Sequence, residues 1–132
     1  MNSDSTPRAV FERLSAGISA GRWHELSALY AEDAVVEQPF APHRIDGRDA
    51  VHAHFAAAAG GPLRLTTRDV VVHETADPEV IIAEFTYDGT VTTTGATFTA
   101  ANIQVLRVRD GLIVASRDYH DHAALAAALG SG

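Results

Sequence analysis

The chain has no cysteine, and only one methionine and one tryptophan, among its 132 residues. Without thiols there can be no disulfide framework, no thiolate metal site and no cysteine nucleophile. No apolar run approaches the roughly 18 residues of a membrane-spanning helix. The polar opening, Met1 to Arg8, lacks the apolar stretch of a secretory signal. The cytoplasm is therefore the expected location, and no membrane contact is expected. Basic residues are also scarce: ten against seventeen acidic ones, for a net charge of −7 with histidines neutral. They are scattered, so no basic patch offers counterion release and nucleic acid is not an expected partner. Charged residues make up only 20% and apolar ones 46%, which marks an ordered globular chain. Its length is that of one domain able to bury a core without staples.

Periodicity and punctuation divide the chain into elements. Residues 1–5 are expected to fray, leaving a single domain over 6–129. Thr6 is suited to cap a helix with Pro7 at its first position, where a missing N–H costs nothing. Val10, Phe11, Leu14 and Ile18 then recur at helical spacing, and Gly21 stops the run. A second short helix shows Trp23, Leu26, Leu29 and Tyr30 on one face. A strand over 34–38 ends at Pro39, and a loop lies between Pro42 and Gly47. A third helix places Val51, His54, Phe55 and Ala58 on one face and ends at Gly60-Gly61-Pro62. Strands follow over 64–75, 80–87, 91–108 and 112–119. Asp88-Gly89 and Asp110-Gly111 read as tight hairpins, Gly95 as a bulge or bend within its strand, and 123–129 as a short helix. Helices first and an antiparallel meander after them make an α+β pattern. The expected architecture is cone-shaped: a curved antiparallel β-sheet of four to six strands wrapped around three helices from the N-terminal half. The concave side is the default ligand site.

Four stretches carry a resemblance: Leu29-Tyr-Ala-Glu-Asp-Ala-Val-Val-Glu-Gln-Pro39, Asp46-Gly-Arg48, Val105-Leu-Arg-Val-Arg-Asp-Gly-Leu-Ile113 and Ser116-Arg-Asp-Tyr-His-Asp121. In this order they resemble the SnoaL-like and ketosteroid-isomerase-like members of the nuclear transport factor 2-like superfamily. That fold hosts isomerases, cyclases, hydrolases and non-catalytic binders, so it does not fix the reaction. Ketosteroid isomerases carry their base in a Glu-Asp-Pro triplet, which here reads Glu37-Gln38-Pro39, and Gln38 has no proton to shuttle. By the same resemblance their oxyanion tyrosine falls near Leu14 and their protonated aspartate near Ala101. An enolate would lack both base and donors, so classical ketosteroid isomerization is not expected. Arg117-Asp118-Tyr119 resembles the Arg-Asp-Tyr of limonene-epoxide hydrolase. The Arg-x-Asp that completes the hydrolase triad is absent from 80–87, where Glu84 and Thr86 stand instead. SnoaL-like cyclases use an acid/base aspartate, and Asp118 is its positional match. His120 matches a pocket-lining tryptophan of the isomerases.

Asp118, His120 and His122 alternate along a strand and so can share a face. Asp118 and His120 are the candidate acid–base pair. Within about 4–6 Å, the aspartate should raise the histidine pKa above its usual 6.5 or so. His122 is assigned to the surface. The same trio spells a two-histidine, one-carboxylate metal triad, but the resemblance implies a metal-free site with no cofactor. Candidate substrate-binding residues are Gln38 and Phe40, which share strand parity, with Tyr30, Trp23, His54, Phe55, Leu14 and Ala101. If Ala101 faces inward, Asn102 and Gln104 face outward, onto the sheet face through which relatives dimerise. The expected protein is a homodimeric, cofactor-independent enzyme acting on a small hydrophobic polyketide- or terpenoid-like molecule. The expected chemistry is cyclization, dehydration or epoxide opening. The alternative is a non-catalytic small-ligand-binding or accessory protein of the same fold.

Overall fold

A computed structural model describes residues 5–41 and 43–130. The expectations for residues 1–4 and for Pro42 lie outside them. Ser5 lies near the last hairpin: a Cβ added at Gly111 would stand 3.3 Å from Ser5 Cβ.

Helix α1 spans Pro7–Ser19, with Thr6 accepting a hydrogen bond from the Ala9 N–H and Pro7 opening the first turn. Val10, Phe11, Leu14 and Ile18 are all buried, as their spacing predicts. Trp23–Leu29 forms a 3₁₀ helix rather than an α-helix. Strand β1 (Tyr30–Gln38) begins four residues earlier than its apolar core suggests. The expected loop after it holds a short strand, β2 (His43–Asp46), paired antiparallel to β1. Helix α2 (Arg48–Gly60) follows Gly47 as cap. Strands β3 (Leu63–Glu74), β4 (Val80–Val91), β5 (Thr97–Arg109) and β6 (Leu112–His120) then form the meander, and α3 (His122–Gly130) closes the described chain.

The six strands lie in the order β2-β1-β6-β5-β4-β3. All neighbours are antiparallel except β1 and β6, which run parallel. The sheet is therefore not purely antiparallel: β1 reaches it before α2, and the chain returns beside it only at β6. Register shifts occur in β3 between Arg68 and Val71 and in β6 between Ile113 and Ala115, opposite Arg107 and Val108 of β5. Such bulges bend strands and increase twist, which curves the sheet. Helix α1 lies in the hollow, with Phe11 5.6 Å from Phe85 of β4 and Ser15 hydroxyl 2.6 Å from that of Thr67 of β3.

One hairpin is as expected and one is not. Asp110 and Gly111 take positive φ (53° and 77°), the paired conformation of a tight antiparallel turn. Asp88-Gly89, by contrast, lies inside β4, and the chain turns over residues 92–95. Gly89 serves close approach instead of a turn: a Cβ there would fall into the Phe98 ring on β5. Gly95, expected as a bend within a strand, belongs to the true turn at φ 77°.

Candidate functional site

Strands β5 and β6 supply most of the polar side chains. Their register sets Asn102 opposite His120 and Gln104 opposite Asp118. Opposed residues share a face, and so do residues two apart on one strand. Asn102, Gln104, Ser116, Asp118 and His120 therefore all point into the hollow. The first four are at most 7% exposed.

The local bonds follow from that register. Ser116 donates its hydroxyl hydrogen to Asp118 Oδ1. Gln104 also bonds Asp118 from the facing strand. Asn102 Oδ1 lies 2.6 Å from His120 Nδ1, while Asn102 Nδ2 donates to the Ala100 carbonyl at 2.9 Å. His120 Nε2 stands 3.8 Å from Asp118 Oδ2. That is close enough for charge coupling and too long for a hydrogen bond.

Gln104, Asp118 and His120 open onto an inner cavity of about 270 Å³, a little below the roughly 300–1,000 Å³ of drug-sized sites. Its walls are mostly apolar. Leu14, Ile18 and Val36 line it, with Trp23, Tyr30 and Phe55 forming one aromatic side. Trp23 stacks on Phe55 at 6.2 Å, and Tyr30 tilts against Phe55 at 5.9 Å. Among the described lining residues there is no arginine, and the chain carries no lysine to serve as an amine nucleophile. Among the described residues no group of three histidines, aspartates or glutamates is arranged to hold a metal ion.

Burial dominates the electrostatics. It pushes the Asp118 carboxyl up to about 6, against the opposing hydrogen bonds from Ser116 and Gln104. It pulls His120 down to about 4, helped by His122 and His54 nearby. Tyr30 and Tyr87 are raised by burial first and by Asp118 second. The expected rise of the His120 pKa beside a carboxylate is overturned: loss of water around the ring lowers it, and a carboxyl that titrates near 6 is already neutral where the ring would take its proton. Near neutrality the site holds a neutral imidazole and a carboxyl group that titrates about a unit away. Such a carboxyl can both give and take a proton.

The structure places several of the candidate residues around the cavity. Gln38, Tyr30, Trp23, Phe55 and Leu14 all line the cavity together with Asp118 and His120. His54 lines it too, its ring edge-on to Phe55 at 5.7 Å, although much of the residue stays exposed. Partial burial of that ring holds its pKa below the usual value.

Others are not. Phe40 is 71% exposed, beyond the end of β1, and packs edge-on against Tyr119 at 5.4 Å. The strand turns away at Pro39, so parity with Gln38 no longer applies. Ala101 faces outward with Ile103, while Asn102 and Gln104 face inward. Both amides are therefore buried on the inner side, where Gln104 lines the cavity and Asn102 holds His120 while bordering the open groove near Ile103. His122 is not a surface residue: it lines the cavity, 5.9 Å from the His120 ring, and its buried Nε2 has no hydrogen-bond partner. The segment bends into α3 at Asp121, which turns this histidine back toward the hollow. Sequence reasoning also passed over Ser116 and Tyr87. The every-second-residue run Ser116, Asp118, His120 was the signal for the first. Tyr87 had only its parity with Phe85.

Comparison with known proteins bears on the family and the fold. Residues 11–116 match the SnoaL-like domain family. An uncharacterized PhzA/B-like protein of Pseudomonas aeruginosa is 40% identical over 97 residues, covering 69% of this chain and about two thirds (67%) of that protein's length. The crystal structure of a candidate isomerase from Bacillus subtilis superposes with a TM-score of 0.89 at 29% identity, over 100% of this chain and 98% of that one. A candidate polyketide cyclase of Xanthomonas campestris shares the fold at a TM-score of 0.80 and 22% identity, over 92% and 95% of the two chains. Because the family match runs from α1 into the strand that carries Asp118, the chain belongs to the SnoaL-like family of the nuclear transport factor 2-like superfamily.

Proposed function

We propose that this chain is a cofactor-independent enzyme of the cytoplasm. It acts on a small, largely apolar, polyketide- or terpenoid-like molecule, by cyclization, dehydration or epoxide opening. Asp118 moves the proton, His120 assists it, and Gln38 orients the substrate through its amide. The observation that carries this reading is a carboxyl group 7% exposed inside an apolar cavity, with its pKa lifted to about 6. A structural carboxylate is ordinarily stabilised in its charged form, whereas this one is held near the point of proton exchange. A screen of small neutral epoxides, β-hydroxyketones and polyketide-like ketones supplies the assay. Asp118→Asn should then lower turnover by about 10²–10⁴-fold. Equal turnover in the variant removes Asp118 from the mechanism.

A second reading has its own support. Asp118 is already hydrogen-bonded by Ser116 and Gln104, as befits a polar anchor in a protein that only binds. Here Asp118→Asn would weaken ligand binding, and no compound in the screen would be turned over.

We also propose that two copies pair through the outer face of the sheet. Phe40, Val71 and Ile103 are 71%, 50% and 41% exposed there, around an open groove of about 810 Å³. Sedimentation at micromolar concentration should show a dimer that Ile103→Lys dissociates. A native monomer would rule the pairing out.

A further inference from the structure

We infer that Asn102 is a positioning residue that holds His120 as its Nδ1–H tautomer, so that Nε2 offers a lone pair to the cavity beside Asp118. Asn102 is 3% exposed, and its Nδ2 donates to the Ala100 carbonyl at 2.9 Å. Turning the amide over would set two oxygens against each other, so the orientation is fixed by its neighbours. Oδ1 is thereby aimed at His120 Nδ1, 2.6 Å away. An amide oxygen can only accept, so the hydrogen is on Nδ1.

A neutral imidazole carries one N–H, and the bond at one nitrogen decides the state of the other. Nε2 is then an acceptor. It stands 3.8 Å from Asp118 Oδ2. Two acceptors at that separation suit a ligand group that donates: a hydroxyl, or a C–H made acidic by a neighbouring carbonyl. The other titratable groups around the ring are His122 of α3, His54 of α2 and Tyr87 of β4, whose ring lies 6.0 Å away. The two histidines oppose a charge on His120, and burial does so more strongly, which keeps the ring in the neutral form that a tautomer requires. Use of Nε2 in proton transfer rests on the acid–base reading above, whereas the tautomer itself does not.

The test needs no substrate. Long-range ¹H–¹⁵N correlation spectra of the full chain, labelled at histidine, report which ring nitrogen is protonated. At neutral pH, His120 should show a protonated Nδ1 and a bare Nε2. An Nε2–H tautomer, or a charged ring, overturns the proposal in the native protein alone, so a variant that fails to fold cannot shelter it. In folded Asn102→Ala the Nδ1–H preference should be lost, and its full retention would equally overturn the assignment. Asn102→Asp should keep the tautomer, because a carboxylate also accepts, and should raise the His120 midpoint by about 1–3 pH units. The two readings separate cleanly. A confirmed tautomer with undiminished turnover in Asp118→Asn would sink the acid–base mechanism and leave the positioning role standing. The wrong tautomer would do the reverse.

Discussion

Inward-facing residues of β5 and β6 divide into two halves with opposite chemistry and equal burial. In one half Leu106 and Ile113 are fully buried and share a core with Val10, Phe11 and Leu14 of α1. In the other, Asn102, Gln104, Ser116 and Asp118 are 1–7% exposed, and Gln104 and Asp118 line a cavity. Withdrawing a Leu side chain from water stabilises a fold by about 1.5–3 kcal/mol. Withdrawing a carboxyl or an amide costs free energy unless every polar atom finds a partner. A strand pair that carries both over a few residues uses one half to hold the fold, and the other half carries the proposed site. The outer face makes the same point in reverse, since Phe40, Val71 and Ile103 stand in solvent while these amides are buried.

The contrast breaks most simply in its apolar half. Phe11 is 1% exposed and packs on Phe85 at 5.6 Å. Phe11→Ala should destabilise the chain by about 3–5 kcal/mol, as lost burial and a residual cavity add. Urea unfolding measures it. A loss under about 1 kcal/mol would mean that this half does not carry the fold.

The polar half is sharpened by pH. His120, lowered to about 4 from 6.5, binds fewer protons folded than unfolded across that interval. Its contribution to stability is therefore lost as pH falls through it. Asp118, raised to about 6 from 3.8, binds more protons folded than unfolded. Its contribution is present at low pH and lost as pH rises toward 6. The two slopes oppose each other over nearly the same window, so their sum is small in the native chain. Removing one uncovers the other. Relative to the native chain, Asp118→Asn should gain stability from about pH 4 to 6 by up to about 3 kcal/mol, and His120→Gln should lose a similar amount. Parallel profiles for all three proteins would show that neither group is shifted by burial.

Much of the apolar half was legible in the sequence. Thr6-Pro7 marks the start of α1, and the buried positions Val10, Phe11, Leu14 and Ile18 follow from a 3.6-residue period alone. Asp110-Gly111 likewise specifies its turn locally. The misses arise where local chemistry has two solutions. Asp-Gly favours a hairpin, yet Gly89 is needed for the Phe98 ring, and the turn moves to Gly95. Alternation on β5 separates Ala101 and Ile103 from Asn102 and Gln104 without saying which pair is inside. The usual preference, apolar residues inward, gives the wrong phase, because on this stretch the buried side carries the amides and faces a partly polar hollow. Asp118 and His120 were found by position on the last strand, but their pKa directions depend on enclosure by α2, α3 and β4. Only the assembled fold provides that enclosure. For the same reason His122, one residue past a bend, looked solvent-facing.

The smallest expected effect isolates a single bond in the polar half. Ser116 is 1% exposed and donates to Asp118 Oδ1. A hydrogen bond to a carboxylate favours the charged form, so this bond restrains the upward push of burial on Asp118. In Ser116→Ala the carboxyl should titrate above its present value of about 6. The folded variant then keeps its proton over an interval in which the native protein has released it. Its stability relative to native therefore declines as pH rises through that interval. The loss should be about 1–1.5 kcal/mol above the variant's midpoint, and smaller below pH 6, where a neutral carboxyl needs the donor less. Unfolding curves at several pH values measure the loss, and carboxyl ¹³C titration of Asp118 measures the midpoint. A loss constant with pH, with the midpoint unmoved, would show that Ser116 only fills space. The polar half would then have to be explained by Gln104 and burial alone.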